Sequence, residues 1–279
     1  MRGDAFTAAV DGGQISGWVV GDGPPVVLLH GGPGLSFGYL DELADEIGNG
    51  FKVAAFQQRG IAPSMLDGPY DVTTHLADIR TVLDALGWST AYVIGHSWGG
   101  HLALHVATAM PDRLLGVLCL DPLGGVGDGG EDIFSAELSA RLPAGVRALA
   151  TELEERAMAG EGSESDALDG LRLVWPAYFA DWDAAPPMPD YGMSVAAYAD
   201  AHDSLVAQLP DLEASLPAIE VPLGIVMGEK SPMPTEESGR RTAERIPGAW
   251  VEVVADAGHF PWTERPGCVR AALDRLAAG

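Results

Sequence analysis

Cysteine is almost missing from this chain: Cys119 and Cys268 are the only two among 279 residues. Two thiols without framework spacing fit reduced side chains, not a disulfide scaffold. The seven histidines are scattered and none forms a His-Glu-x-x-His pair, so no metal is expected, and no cofactor either. Basic residues are scarce as well, 16 Lys and Arg against 40 Asp and Glu, for a formal net charge of -24. A field of that sign repels polyanions, which excludes nucleic acid and anionic membrane surfaces as partners. A neutral or cationic small-molecule substrate is compatible with it. Long apolar runs are absent too: nothing approaches a membrane span, and Met1-Arg2-Gly3-Asp4 leads into no signal-type stretch, so a cytoplasmic protein is expected.

What is present is ample material for a core. Hydrophobic residues make up 47% and charged residues 20%, the balance of an ordinary globular chain. The length exceeds that of a usual single domain, but α/β folds of this size commonly form one core with an inserted segment.

Strand-like and helix-like runs alternate along the chain. Residues 6–10 and 15–20 flank Asp11-Gly12-Gly13 as an opening hairpin. Pro25-Val26-Val27-Leu28-Leu29 is a continuous apolar run, the pattern of a central parallel strand covered on both faces. It ends in His30-Gly31-Gly32-Pro33-Gly34, a loop whose unshielded backbone N–H groups could point into a site at the strand's carboxyl end. A helix over 39–47 and a strand over 51–56 follow, the latter closing in Gln57-Gln58-Arg59-Gly60. Leu76, Ile79, Val82, Leu83 and Leu86 recur at helical spacing behind Asp71 and Thr73 as candidate caps, with Gly87 as a stop. After the segment around Ser97 comes a buried strand over 117–120 that delivers Asp121.

From Gly124 the character changes. Five glycines in residues 124–130 predict a flexible joint, and residues 133–209 read as helical with no convincing strand. Trp175, Tyr178, Phe179 and Trp182 lie in this stretch as candidates to line a substrate cavity, although aromatics so spaced also serve to pack one layer on another. Strands return over 221–228 and 250–254, and a helix through Leu273 and Leu276 ends the chain. The organisation expected is a core of residues 1–127 and 213–279 interrupted by a helical cap over 128–212. Alternation of strands and helices on both sides of the insertion predicts an α/β fold with a mostly parallel sheet.

The chemistry centres on Gly95-His96-Ser97-Trp98-Gly99-Gly100. Ala91-Tyr92-Val93-Ile94 before it has strand character, and the run from His101 to Ala107 after it reads as helix. A serine exposed on a sharp strand-to-helix turn needs neighbours of minimal volume two positions before and after, which Gly95 and Gly99 supply. Ser97 is therefore the candidate nucleophile. A serine hydroxyl needs a base, and the base an orienting acid. Among the histidines only His259 stands in a short loop directly after a late strand. His30 is expected to shape its own loop, His96 to point away from the turn, and His101 and His105 to pack or be solvated on one helix face, while His75 and His202 have no distinguishing context.

The His30-Gly31-Gly32-Pro33-Gly34 loop, the serine turn and Gly258-His259-Phe260-Pro261 together resemble the α/β-hydrolase superfamily, most closely its proline iminopeptidase branch. The resemblance covers the core on both sides of the insertion and is weak within it. It implies an α/β-hydrolase fold, the chain order Ser, Asp/Glu, His, and an oxyanion hole from the backbone N–H groups of Gly32 and Trp98. Two departures stand out. Gln57 replaces the aspartate of the iminopeptidase Asp-Gln-Arg-Gly stretch, and Ser231 stands where the triad acid usually follows the penultimate strand.

Asp121 is the favoured replacement, because adjacent parallel strands bring their carboxyl ends to one edge. Lactone hydrolases of the zearalenone-cleaving type resemble this chain in that placement. Glu229 is the fallback acid, and Asp256 lies too close in sequence to His259 to reach around it. The expected function is ester or lactone hydrolysis through an acyl-enzyme. The alternatives are an iminopeptidase-type aminopeptidase and, on the same fold, a protein that binds a small ligand without turnover.

Overall fold

The apolar runs of the sequence form eight strands in one sheet, and the computed structural model describes residues 3–158 and 163–278. In chain order the elements are β1 (Asp4–Val10), β2 (Gly13–Val20), β3 (Pro25–Leu29), α1 (Leu40–Ile47), β4 (Lys52–Gln57), α2 (Val72–Ala85), β5 (Ala91–His96), α3 (Trp98–Ala109) and β6 (Leu114–Leu120). Then come α4 (Glu131–Arg141), α5 (Ala144–Met158), α6 (Glu164–Val174), α7 (Val195–Ser215), β7 (Leu223–Gly228), α8 (Arg241–Glu244), β8 (Trp250–Val254), α9 (Pro261–Glu264) and α10 (Cys268–Ala278).

The strand order is β1-β2-β4-β3-β5-β6-β7-β8. β2 runs antiparallel to β1 and β4, and every later pairing is parallel. This is the α/β-hydrolase architecture, with helices on both faces of a mostly parallel sheet. The continuous apolar runs follow from that burial on two sides. In β3, Val27 and Leu29 join Leu83, Leu102 and Leu209 of α2, α3 and α7 on one face. Val26 and Leu28 join Leu43 of α1 and Leu273 of α10 on the other.

Local signals set the helix ends. Of the two candidate caps for α2, Asp71 is the one used: its carboxylate accepts the Thr74 N–H at 2.8 Å, satisfying an orphan donor of the first turn. Gly87 adopts φ 69° and stops the helix as expected. α3 ends before Pro111, which opens a single tight turn over Pro111–Arg113.

Between β6 and β7 the described residues form helices and loops, with α7 reaching past the predicted helical stretch to Ser215. The glycine-rich segment 124–130, expected as a flexible joint, makes several hydrogen bonds in the fold. Gly124 N–H donates to Gly129 O and Gly129 N–H to Val126 O, both at 2.9 Å. Gly125 N–H is held by Thr242 Oγ1 at 2.9 Å and Gly127 N–H by Glu213 Oε2 at 3.0 Å. A Cβ on Gly124 would sit 2.6 Å from the Ser238 carbonyl oxygen. Here glycine serves close approach as well as conformational freedom, a distinction composition cannot make. Among the described residues no helix is long and apolar enough to cross a membrane.

Candidate active site

Parallel neighbours β5 and β6 end at the same edge of the sheet, so the residues that follow them meet there. Ser97 follows β5 directly and holds φ 54°, ψ -119°, a conformation that costs a non-glycine residue free energy and persists only where its surroundings enforce it. The surroundings do so. The Ser97 N–H donates to Leu120 O at 2.9 Å, while a Cβ on Gly95 would lie 1.9 Å from Gly99 O and one on Gly99 2.2 Å from Leu29 O. The turn closes only with glycine at both positions. Its strain presents Ser97 half-buried at the start of α3.

Asp121 follows β6, also at positive φ (45°), and is fully buried. Its Oδ1 accepts the Gly228 N–H at 3.1 Å, and its Oδ2 accepts the Ser231 hydroxyl and, at 2.6 Å, the His259 ring through Nδ1. Ser231 is in turn fixed by the Met233 N–H at 3.0 Å. A buried carboxylate without such donors would be expensive. Ser231, at the position after β7, is one of the donors that hold this carboxylate.

His259, held through its own N–H by Tyr178 O at 2.7 Å, points Nδ1–H at Asp121 and so leaves Nε2 able to take a proton. No hydrogen bond joins Ser97 Oγ to that ring among the described residues; such contacts commonly tighten only once substrate is bound. Glu229 is exposed and accepts the Asp256 N–H at 3.0 Å. Asp256 pairs with Lys230 at 2.6 Å and Arg265 at 3.5 Å. Neither carboxylate reaches the imidazole.

The glycine loop after β3 is pinned on both sides. The His30 ring accepts the Gln58 N–H at Nε2 (3.1 Å), which puts its proton on Nδ1 and directs it to Gly31 O at 3.0 Å. Because the peptide is planar and trans, a Gly31 carbonyl held that way turns the Gly32 N–H in the opposite direction. That N–H has no protein acceptor among the described residues. Burial holds the His30 imidazole neutral, its pKa lowered to about 4. Gln57 braces the same loop, accepting the Phe37 N–H at 3.1 Å and donating to Leu35 O at 3.0 Å. An amide does both at once, which a carboxylate at this position could not.

The four aromatics of the insertion divide. The Tyr178 ring lies 5.3 Å from His259. Phe179 stacks on Phe260 at 5.4 Å and Trp175 lies tilted against it at 5.0 Å, and both line a cavity of about 310 Å³ with Tyr39 and Trp262, while Trp182 packs against the cluster of Leu142, Ala150 and Ala177. Phe134 of α4, which the sequence did not single out, stands 5.8 Å from His259. His96 also departs from expectation: it bonds to Tyr39 and to the His259 carbonyl. His101 and His105 are buried on α3 and bond to each other at 3.2 Å, with pKa values lowered by burial to about 4 and about 3. Neither joins the site. No cluster of three or more metal-ligating side chains occurs among the described residues.

Known proteins share this plan. Epoxide hydrolase B of Mycobacterium tuberculosis is 36% identical over 109 residues, a match spanning 38% of this chain and 31% of that protein's length. An esterase from Exiguobacterium antarcticum superposes with a TM-score of 0.74 at 23% identity over 100% of both chains. A proline iminopeptidase from Mycobacterium smegmatis gives 0.69 at 20% identity over 99% of this chain and 98% of its own. These two likenesses establish the fold. A family described as alpha/beta hydrolase fold matches residues 24–266, and with its sheet order and strained serine turn the chain belongs to that family.

Proposed function

We propose that the protein is a serine hydrolase that cleaves a carboxylic ester or lactone through an acyl-enzyme, with residues 128–212 as a cap over the site. Ser97 is the nucleophile, His259 the general base and then acid, Asp121 the orienting acid, and the N–H groups of Gly32 and Trp98 the oxyanion hole. The observation that carries this reading is the 2.6 Å contact between His259 Nδ1 and the buried Asp121 carboxylate beside the Ser97 turn. It fixes the tautomer that a base acting on a serine requires.

In the first half-reaction Ser97 gives its proton to His259 Nε2 as Oγ attacks the carbonyl carbon. The oxyanion moves toward the Gly32 and Trp98 donors, each worth roughly two to three powers of ten in rate. Collapse expels the alkoxide, which takes the proton from His259. Water, activated by the same imidazole, then releases the acid and frees Ser97.

Serine itself argues for acyl transfer over the epoxide opening named for the Mycobacterium tuberculosis relative. A serine alkoxide opening an epoxide would leave an ether, which water does not cleave under these conditions, whereas an acyl-serine hydrolyses. The rings of Phe134, Tyr178 and Phe260, 5.3 to 5.8 Å from His259, offer an apolar surface for an apolar or cyclic acyl group. Gln57 and Ser231, where the iminopeptidase pattern carries aspartates, point the same way. A panel of p-nitrophenyl esters, macrolactones and proline naphthylamide tests this choice. Ester or lactone turnover well above that of the amide is expected. Release from the proline amide alone would make the protein an aminopeptidase, and ligand binding with neither product nor fluorophosphonate labelling of Ser97 would make it a binding protein.

A further inference from the structure

Two loops must hold still relative to each other for acyl transfer: the one that offers the Gly32 N–H and the one that carries His259. They come from opposite ends of the chain. The structure joins them by an unbroken line of hydrogen bonds. The Gly31 N–H donates to the Tyr39 hydroxyl at 2.5 Å, the hydroxyl donates to His96 Nδ1 at 2.9 Å, and His96 Nε2–H donates to the His259 carbonyl oxygen at 2.9 Å. The directions agree at every step, since a hydroxyl accepts one proton while giving its own and a neutral imidazole accepts at one nitrogen and donates at the other. Burial favours both neutral forms, holding His96 well below the usual histidine range and Tyr39 above the usual phenol.

The line is rigid as well as continuous. The Tyr39 ring stands between Trp262, stacked at 6.3 Å, and the edges of Phe260 and Tyr191 at 5.8 and 6.1 Å, so its hydroxyl has little freedom to swing. The His96 ring lies 4.7 Å from the His259 ring and 4.8 Å from Phe260. At the other end, a Cβ on Gly31 would sit 2.9 Å from the Ser97 Cβ, so a small displacement of this loop changes its distance from the nucleophile. Both His96 nitrogens are engaged with protein, which removes the ring from proton transfer to substrate.

We propose that Tyr39 and His96 are positioning residues: a hydrogen-bonded strut that holds the oxyanion loop and the base loop in one frame. The inference rests on the acyl-transfer reading and adds to it two residues that touch none of the reacting atoms. Misplacing an oxyanion donor weakens the transition state more than the bound ester. The strut therefore acts on kcat and on affinity for a tetrahedral adduct, and leaves KM nearly alone.

The test compares wild-type protein with Tyr39→Phe, His96→Gln, His96→Leu and the double variant Tyr39→Phe/His96→Leu, on one p-nitrophenyl ester and on phenylboronic acid as the tetrahedral probe, with thermal melts alongside. Tyr39→Phe should lower kcat by about 10- to 100-fold, a fraction of the loss of a whole oxyanion donor. KM should stay within about threefold and boronate affinity should fall in step with kcat. His96→Gln keeps an amide donor for the His259 carbonyl and should outperform His96→Leu. The double variant should lose little beyond His96→Leu, because two residues in one chain of bonds are not additive. Unchanged kcat and boronate affinity in Tyr39→Phe, or losses that only track the unfolded fraction, would overturn the strut. Wild-type protein that neither turns over ester nor binds the boronate would overturn the acyl-transfer reading, and the strut's part in it, as a separate outcome.

Discussion

Asp121, Ser231 and His259 form one hydrogen-bonded group. The carboxylate comes from the end of β6, and the position after β7 contributes a hydroxyl that donates to it. Asp121→Asn keeps the shape of the site but lets the amide present an N–H to His259, favouring the wrong tautomer. Turnover should fall by about four powers of ten, as when the triad acid of the serine protease template becomes an amide. Glu229→Gln should change turnover little, because Glu229 is engaged with the Asp256 N–H. Adding Ser231→Asp to the Asp121→Asn chain returns a carboxylate to within reach of the ring and should recover at least about tenfold, the equivalent of about 1.4 kcal/mol in the barrier. Steady-state kinetics on one ester measures all three, and failure of the double variant to improve on Asp121→Asn would mean that position 231 cannot orient the imidazole. The place of Asp121 at the sheet edge was legible because a strand end puts a residue there whatever its side chain does. His96 was not, since its partners Tyr39 and His259 lie 57 and 163 residues away in the chain.

At the scale of elements, the insertion is tied to the core and to itself by a few named contacts. The Arg141 guanidinium at the end of α4 reaches Ala177 O at 3.0 Å and Lys230 O at 2.9 Å, bridging the insertion and the loop after β7. His202 of α7 meets Glu131 of α4 at 2.5 Å, with Asp203 at 3.9 Å. The hydrogen bond that the His202 ring donates to Glu131, then the charges of Glu131 and Asp203, outweigh the cost of burial and raise the His202 pKa above its usual 6.5. A raised folded-state pKa means that protonation stabilises the fold. The contribution is complete below about pH 6.5 and is lost as pH rises through the higher folded value. Melts of wild-type protein against His202→Gln from pH 5.5 to 8.5 should show a stability difference that shrinks toward alkaline pH. A constant difference would mean that the pair is not coupled to folding. Sequence read the insertion as helical from its pattern, but it could not assign its aromatics, because Trp182 and Tyr178 differ only in which layer each turns toward. Phe134 escaped notice for the same reason: it lies beside His259 only once α4 has folded back over the sheet edge.

For the whole molecule, the sheet and its helices were readable because double-sided burial writes continuous apolar runs at β3, β5 and β6, and turn glycines mark where they end. In the segment 124–130 glycine answers two needs, freedom and close approach, with one letter. The same sheet gathers Ser97, Asp121 and His259 at one edge from distant positions in the chain. The most direct measurement is intact mass spectrometry after rapid acid quench of a slowly deacylating p-nitrophenyl ester, with peptide mapping of the product. A covalent acyl mass on Ser97 is expected in wild-type protein, absent in Ser97→Ala and formed far more slowly in His259→Ala and Asp121→Asn. Ester turnover that persists in Ser97→Ala, or an acyl mass on any other residue during turnover, would contradict this expectation.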